Sequence, residues 1–158
     1  MSDENPKESA ETLELSVTRL IAAPPEKVWS VMTRRTAEWW CPKPWTTEII
    51  EQDWRAGGRS CTIMHGPGGE RHEGEGIFLE VVDGKRFAFT DAVTADLKPQ
   101  NPFMIGIFEI APEAGGTRYT ASARHWTAEA KKQHEDMGFA DGWKAVADQL
   151  ADICESQD

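Results

Sequence analysis

The sequence predicts an α+β domain in which a curved antiparallel sheet has one face covered by helix. Three observations predict it. Short strand-like runs separated by Gly- and Pro-rich turns fill the middle of the chain, from Trp45 to about Tyr119. One strand and short helical stretches precede that run, and a strongly amphipathic helix closes the chain. The length, 158 residues, suits one domain that buries enough surface to hold a core without disulfides or a metal.

Residues 1–12 are polar and acidic and cannot bury apolar area, so a disordered acidic tail is expected there, with the domain spanning 13–155. Leu13, Leu15, Val17 and Ile21 then alternate with Glu14, Ser16, Thr18 and Leu20, the period of a half-buried strand. Arg19 falls on the apolar side of that alternation. Ala23-Pro24-Pro25 ends the strand, and Val28, Trp29 and Met32 stand at helical spacing behind it. Thr36 is a candidate N-cap for a second brief helix through Trp39 and Trp40, which Pro42 and Pro44 terminate.

Strand candidates follow at 45–54, 60–65, 70–82 and 86–91. Ala56-Gly57-Gly58, Gly66-Pro67-Gly68-Gly69 and Asp83-Gly84 form the turns between them. Gly74 and Gly76 inside the third suggest a bulge or a close backbone approach. Residues 95–102 read as a longer loop, and 103–110 pairs with 116–126 across a turn at 112–116. Thr127 can cap a helix beginning at Ala128, but Gly138 and Gly142 leave open a short helix plus a long one or a single rod. Trp143, Val146, Ala147, Leu150, Ile153 and Cys154 then recur on one helical face, opposite Lys144, Asp148, Gln149 and Asp152.

Composition excludes several functions. A net charge of −10 opposes nucleic-acid and anionic-membrane binding, which need clustered Lys and Arg. No segment approaches the roughly 20 apolar residues of a membrane span, and the N-terminus has no apolar signal region. Three scattered cysteines suit a reducing cytoplasm, where the protein is expected to reside. No nucleophile elbow or phosphate-binding loop occurs, and no cofactor is expected. Glu70, His72 and Glu73 lie on one strand, which rarely supplies a closed ligand set, so no metal is expected either.

Seven Trp and six Phe against one Tyr mark either a bulky core or a cavity with aromatic walls. Trp40, Trp45, Met64, Phe89, Met104, Met137 and Trp143 are the expected lining of such a cavity, with Arg19 or His125 as its polar anchor. His125, beside Trp126 at a strand end, is also the candidate general acid–base if the domain is an enzyme, with Arg19, Glu80 or Glu109 steering it. Core packing is the simpler account of any one of these aromatics, and an outward-facing strand position that of Glu80 and Arg124.

Taken in order, several motifs are similar to one family. Ala23-Pro24-Pro25-Glu26-Lys27-Val28-Trp29 with Trp39-Trp40, then Asp53-Trp54-Arg55-Ala56-Gly57-Gly58-Arg59, resemble the Hsp90-ATPase-activator-homologue-like branch of the START/Bet v1-like superfamily. Gly74–Val82, Arg86–Thr90, Gly115-Gly116-Thr117-Arg118 and Gly142-Trp143 with Leu150 match later landmarks. The resemblance implies a helix-grip fold, a sheet wrapped around the long C-terminal helix with an elongated cavity between them. It implies binding of a small hydrophobic molecule there. A cyclase- or hydrolase-type enzyme acting on a polyketide-like or aromatic substrate is the alternative, and a chaperone-associated or stress-response interaction module is the third. A homodimer is a possible assembly. Only a dozen polar residues precede the first strand, unlike the co-chaperone that gives the branch its name, so a chaperone partner is not the leading expectation.

Overall fold

The computed structural model describes residues 13–156, so the tail expected at 1–12 lies outside the described residues. Strands β1 (Glu14–Ile21), β2 (Thr46–Gln52), β3 (Arg59–His65), β4 (Arg71–Val82), β5 (Arg86–Thr90), β6 (Ile105–Glu113) and β7 (Gly116–Arg124) form one antiparallel sheet. Helices α1 (Pro25–Arg34) and α2 (Thr36–Trp39) follow β1; α3 (Ala128–Asp136) and α4 (Phe139–Glu155) follow β7. The sheet order is β1-β7-β6-β5-β4-β3-β2. Consecutive strands β1 and β2 therefore sit at opposite edges, and α1 and α2 carry the chain between them. The remaining strands return as a meander whose hairpins fall at the turns the sequence marks.

Register fixes which face holds the core. Leu15, Val17, Arg19 and Ile21 stand opposite Ala123, Ala121, Tyr119 and Thr117 of β7, which in turn oppose Gly106, Phe108, Ile110 and Pro112 of β6. Tyr119, Ala121, Ala123 and Phe108 are at most 2% exposed. Helix α4 lays Phe139, Trp143, Val146, Ala147, Leu150, Ala151 and Cys154 against this half of the sheet and against α1 and α2. Each large apolar side chain so buried contributes about 1.5–3 kcal/mol of desolvation.

Helices α3 and α4 are separate because Gly138 adopts φ +97°, a left-handed conformation that interrupts a rod. Thr127 caps α3 as its position suggests, its Oγ1 accepting the Ala130 N–H at 3.0 Å. Thr36 does not cap α2. It lies inside the first turn, where its hydroxyl donates to the Met32 carbonyl at 3.0 Å. Gly76 answers to close approach, since a Cβ there would meet the Thr90 carbonyl oxygen at 2.1 Å, while the register shift in β4 falls later, between Phe78 and Glu80. Among the described residues no helix is long and apolar enough to cross a membrane.

Candidate functional site: an aromatic cavity beneath the second helix

The space between α4 and the sheet is filled by rings. Trp143 of α4 stacks on Phe108 of β6 with centroids 5.6 Å apart, and Phe108 stacks in turn on Phe87 at 5.0 Å. Trp40 meets the edges of both Trp143 and Phe108, at 5.5 and 5.7 Å. These rings pack Trp143 and Trp40 against Phe108. A cavity of about 270 Å³ lies beside the Trp40–Phe108 contact, between α2 and the half of the sheet built from β2 to β6.

Two polar side chains hold α2 as the roof. Gln149, on the polar side of α4, donates to the carbonyls of Trp39 and Cys41 at 3.0 and 3.1 Å and accepts the Lys43 N–H at 3.0 Å. Thr47 of β2 donates to the Trp40 carbonyl at 2.8 Å. The chain turns sharply there, with Cys41 at φ +48°. Trp39 is held from its other side by its own indole N–H, which donates to the Met32 carbonyl at 3.2 Å.

The cavity walls differ in chemistry. Trp39 and Trp40 form the roof, Phe78, Phe87, Phe89 and Phe108 the sheet floor, and Trp54, Met64 and Met104 the ends. The β2–β3 wall instead presents Gln52, Ser60 and Thr62, whose side chains have no hydrogen-bond partner among the described residues. Asp91 closes one edge, where its Oδ1 accepts the Phe103 N–H at 2.9 Å and the Met104 N–H at 3.4 Å. Of all the lining residues only Gly74, in β4 opposite Thr62 of β3, is exposed. Such a cavity can hold a flat apolar body by dispersion and desolvation while three neutral polar groups orient it.

Of the residues expected to line a cavity, Trp40, Met64, Phe89 and Met104 come together here. The other five do not. Trp143 packs behind Trp40 as core, and Trp45 stacks on His72 at 5.6 Å beside the Gly66 turn. Met137 caps α3 and is 67% exposed, because Gly138 ends the helix before its side chain can turn inward. Arg19 does share the inner face with Tyr119, but at the opposite end of the sheet, where it donates to Asp148 of α4 at 2.9 Å. Arg19 and Lys144 together hold the Asp148 carboxyl below the usual carboxylate range.

His125 is buried but away from the cavity. Its Nδ1–H donates to the Leu13 carbonyl at 2.9 Å, which leaves Nε2 as an acceptor for His134 Nδ1–H, also at 2.9 Å. Phe103, Phe139 and Trp143 surround His134. Desolvation, with the neighbouring His125 second, pushes the His134 pKa down to about 4. Both His125 nitrogens are engaged in this link between the start of β1 and α3, and the residue is not among those that line the cavity. Glu80 pairs with Arg86 at 2.6 Å on the other sheet face, and Glu109 is exposed. Among the described residues no group of three or more His, Cys, Asp or Glu is placed to hold a metal ion.

Asp91, Gln52, Ser60 and Thr62 were not legible as site residues. In β3 the sequence alternates Ser60, Thr62 and Met64 with Cys61 and Ile63, and a hydrophobic pattern turns Cys61 and Ile63 inward. The structure buries both on the opposite face, next to the long side chains of Arg59, Glu75 and Glu73.

An antiparallel sheet of seven strands with a long C-terminal helix on one face is the α+β, helix-grip architecture of START-like domains. The chain belongs to the Activator of Hsp90 ATPase homolog 1-like protein family, which matches residues 22–155. A crystal structure of a Nitrosomonas europaea protein is 37% identical to it, with TM-score 0.83 over 90% of this chain and 94% of that one. A Mycobacterium smegmatis protein is 28% identical, with TM-score 0.78 and 94% of each chain covered. The Silicibacter pomeroyi protein of the same family, 20% identical with TM-score 0.69 over 89% of this chain and 96% of that one, shares the fold. No curated protein sequence is significantly similar.

Proposed function

We propose that this domain binds a small, flat, aromatic molecule in the cavity beneath α2. The observation that carries the reading is the pairing of aromatic roof and floor with a wall of Gln52, Ser60 and Thr62, whose side chains have no hydrogen-bond partner among the described residues. Packing alone does not call for polar side chains aimed at an apolar space, because each loses water unless something else pairs with it. The volume sets the scale. A cavity of about 150 Å³ suffices for benzene, so about 270 Å³ suits a ligand of roughly two fused rings rather than a sterol or phospholipid. Hiding about 200 Å² of such a ligand contributes roughly 5 kcal/mol before the costs of immobilisation.

The test is mass spectrometry of compounds that co-purify with the native protein, followed by thermal-shift titration with two-ring aromatics. Saturable stabilisation by such compounds, lost in Thr62→Phe where a ring occupies the space, supports the reading. Stabilisation that persists unchanged in a folded Thr62→Phe variant, or none across the series, contradicts it.

A further inference from the structure

The two charged residues that border the cavity, Glu75 and Asp91, are both acidic. No Lys or Arg is among its lining residues. Glu75 borders the cavity, but it stands opposite Cys61 in the register and its carboxylate pairs with Arg59 on the other face of the sheet. Asp91 has no ion-pair partner among the described residues, and its hydrogen bonds to Phe103 and Met104 use Oδ1 alone. Its second oxygen has no hydrogen-bond partner among the described residues, and the cavity that Asp91 borders is walled by indole and phenyl rings, whose faces attract cations.

Building on the binding role proposed above, we infer that the ligand is an aromatic amine or similarly cationic aromatic, its charged head at Asp91 and its rings between Trp40 and Phe89. An ammonium there replaces part of its hydration with a charge-assisted hydrogen bond to Oδ2 and with the ring faces. A carboxylate of the same shape meets Asp91 head-on and finds no cation to answer it. The cavity thus selects by charge as well as by shape, and anionic aromatic acids and acyl-phosphate conjugates are excluded.

Isothermal titration calorimetry with naphthylmethylamine, naphthylmethanol and naphthoate tests this, since the three share one ring system and differ in charge. The amine is expected to bind about tenfold tighter than the alcohol, and naphthoate weakest of all. Asp91→Asn keeps an oxygen for the Phe103 and Met104 N–H groups and is expected to bring amine and alcohol to near-equal affinity. Should that variant not fold, the amine-to-alcohol ratio of the unaltered protein is expected to shrink as salt is raised to about 1 M. Binding of the alcohol with naphthoate equal to or tighter than the amine overturns the charge assignment and leaves the cavity reading standing. Failure of all three to bind removes the cavity reading and this inference together.

Discussion

The ring of Phe89 lies across Gly106, its register partner on β6, so closely that a Cβ at position 106 would meet ring carbon Cε1 at 2.6 Å. Glycine in a strand interior weakens the strand, and here its bare backbone is the seat on which a cavity-floor ring rests. From that seat Phe89 stacks beside Phe108, with centroids 6.1 Å apart. Gly106→Ala is expected to tilt Phe89 into the cavity and cost about 1–3 kcal/mol, as overpacking does. Chemical denaturation gives the cost, and weakened binding of a two-ring aromatic reports the tilt.

Gln149 is expected to matter more than its place on the polar side of α4 suggests. Its side chain makes three hydrogen bonds to the backbone of residues 39–43, which hold the cavity roof. Gln149→Ala leaves two carbonyls and one N–H without those partners, at about 0.5–1.5 kcal/mol each. Denaturation is expected to show a loss of about 2–3 kcal/mol, with a change in tryptophan emission as Trp39 and Trp40 loosen. An unchanged emission spectrum would show that the roof is held some other way.

How much of this was readable in the sequence divides along a physical line. The turn residues, the strand alternation and the apolar face of α4 are local signals, and they specify the sheet, its hairpins and the closing helix. Arg19 falls on the apolar side of the β1 alternation and stands opposite Tyr119, but alternation says nothing about where along the strand a cavity lies. The cavity's position depends on Trp143 meeting Phe108 and Trp40, residues from three elements far apart in the chain. Met137 shows the same limit from the other side. Composition made it a lining candidate, and the single conformation of Gly138 turned it to solvent.

The buried His125–His134 pair gives a pH dependence with a definite sign. An unfolded imidazole titrates near 6.5, and the folded chain holds His134 near 4. Between these values the unfolded state binds more protons, so this contribution is full above about pH 6.5 and is lost as pH falls towards 4. It amounts to at most about 3 kcal/mol. Urea denaturation from pH 7.5 to about 4.5 is expected to show a shallower decline for a folded His134→Asn variant than for the unaltered protein. Parallel declines would mean that His134 does not carry the effect.

All three cysteines are free and buried, and desolvation pushes their thiols up, that of Cys154 to about 11. Thiolate is the reactive form, so labelling is expected to wait on opening of the fold. The rate of reaction with a water-soluble aromatic disulfide in native buffer is expected to rise sharply on adding urea. Fast stoichiometric labelling of one thiol without denaturant would locate a breathing segment, and at Cys41 that segment would be the cavity roof.

Methionine methyl groups offer the most direct test of where a ligand sits. Met64 and Met104 line the cavity, Met32 is buried in the core away from it, and Met137 is exposed on α3. With methyl-13C methionine, titration of naphthylmethylamine followed by two-dimensional NMR is expected to move the Met64 and Met104 resonances in a saturable way and leave those of Met32 and Met137 in place. Movement confined to Met137, or no movement of Met64 and Met104 at saturating ligand, would contradict a binding cavity beneath α2.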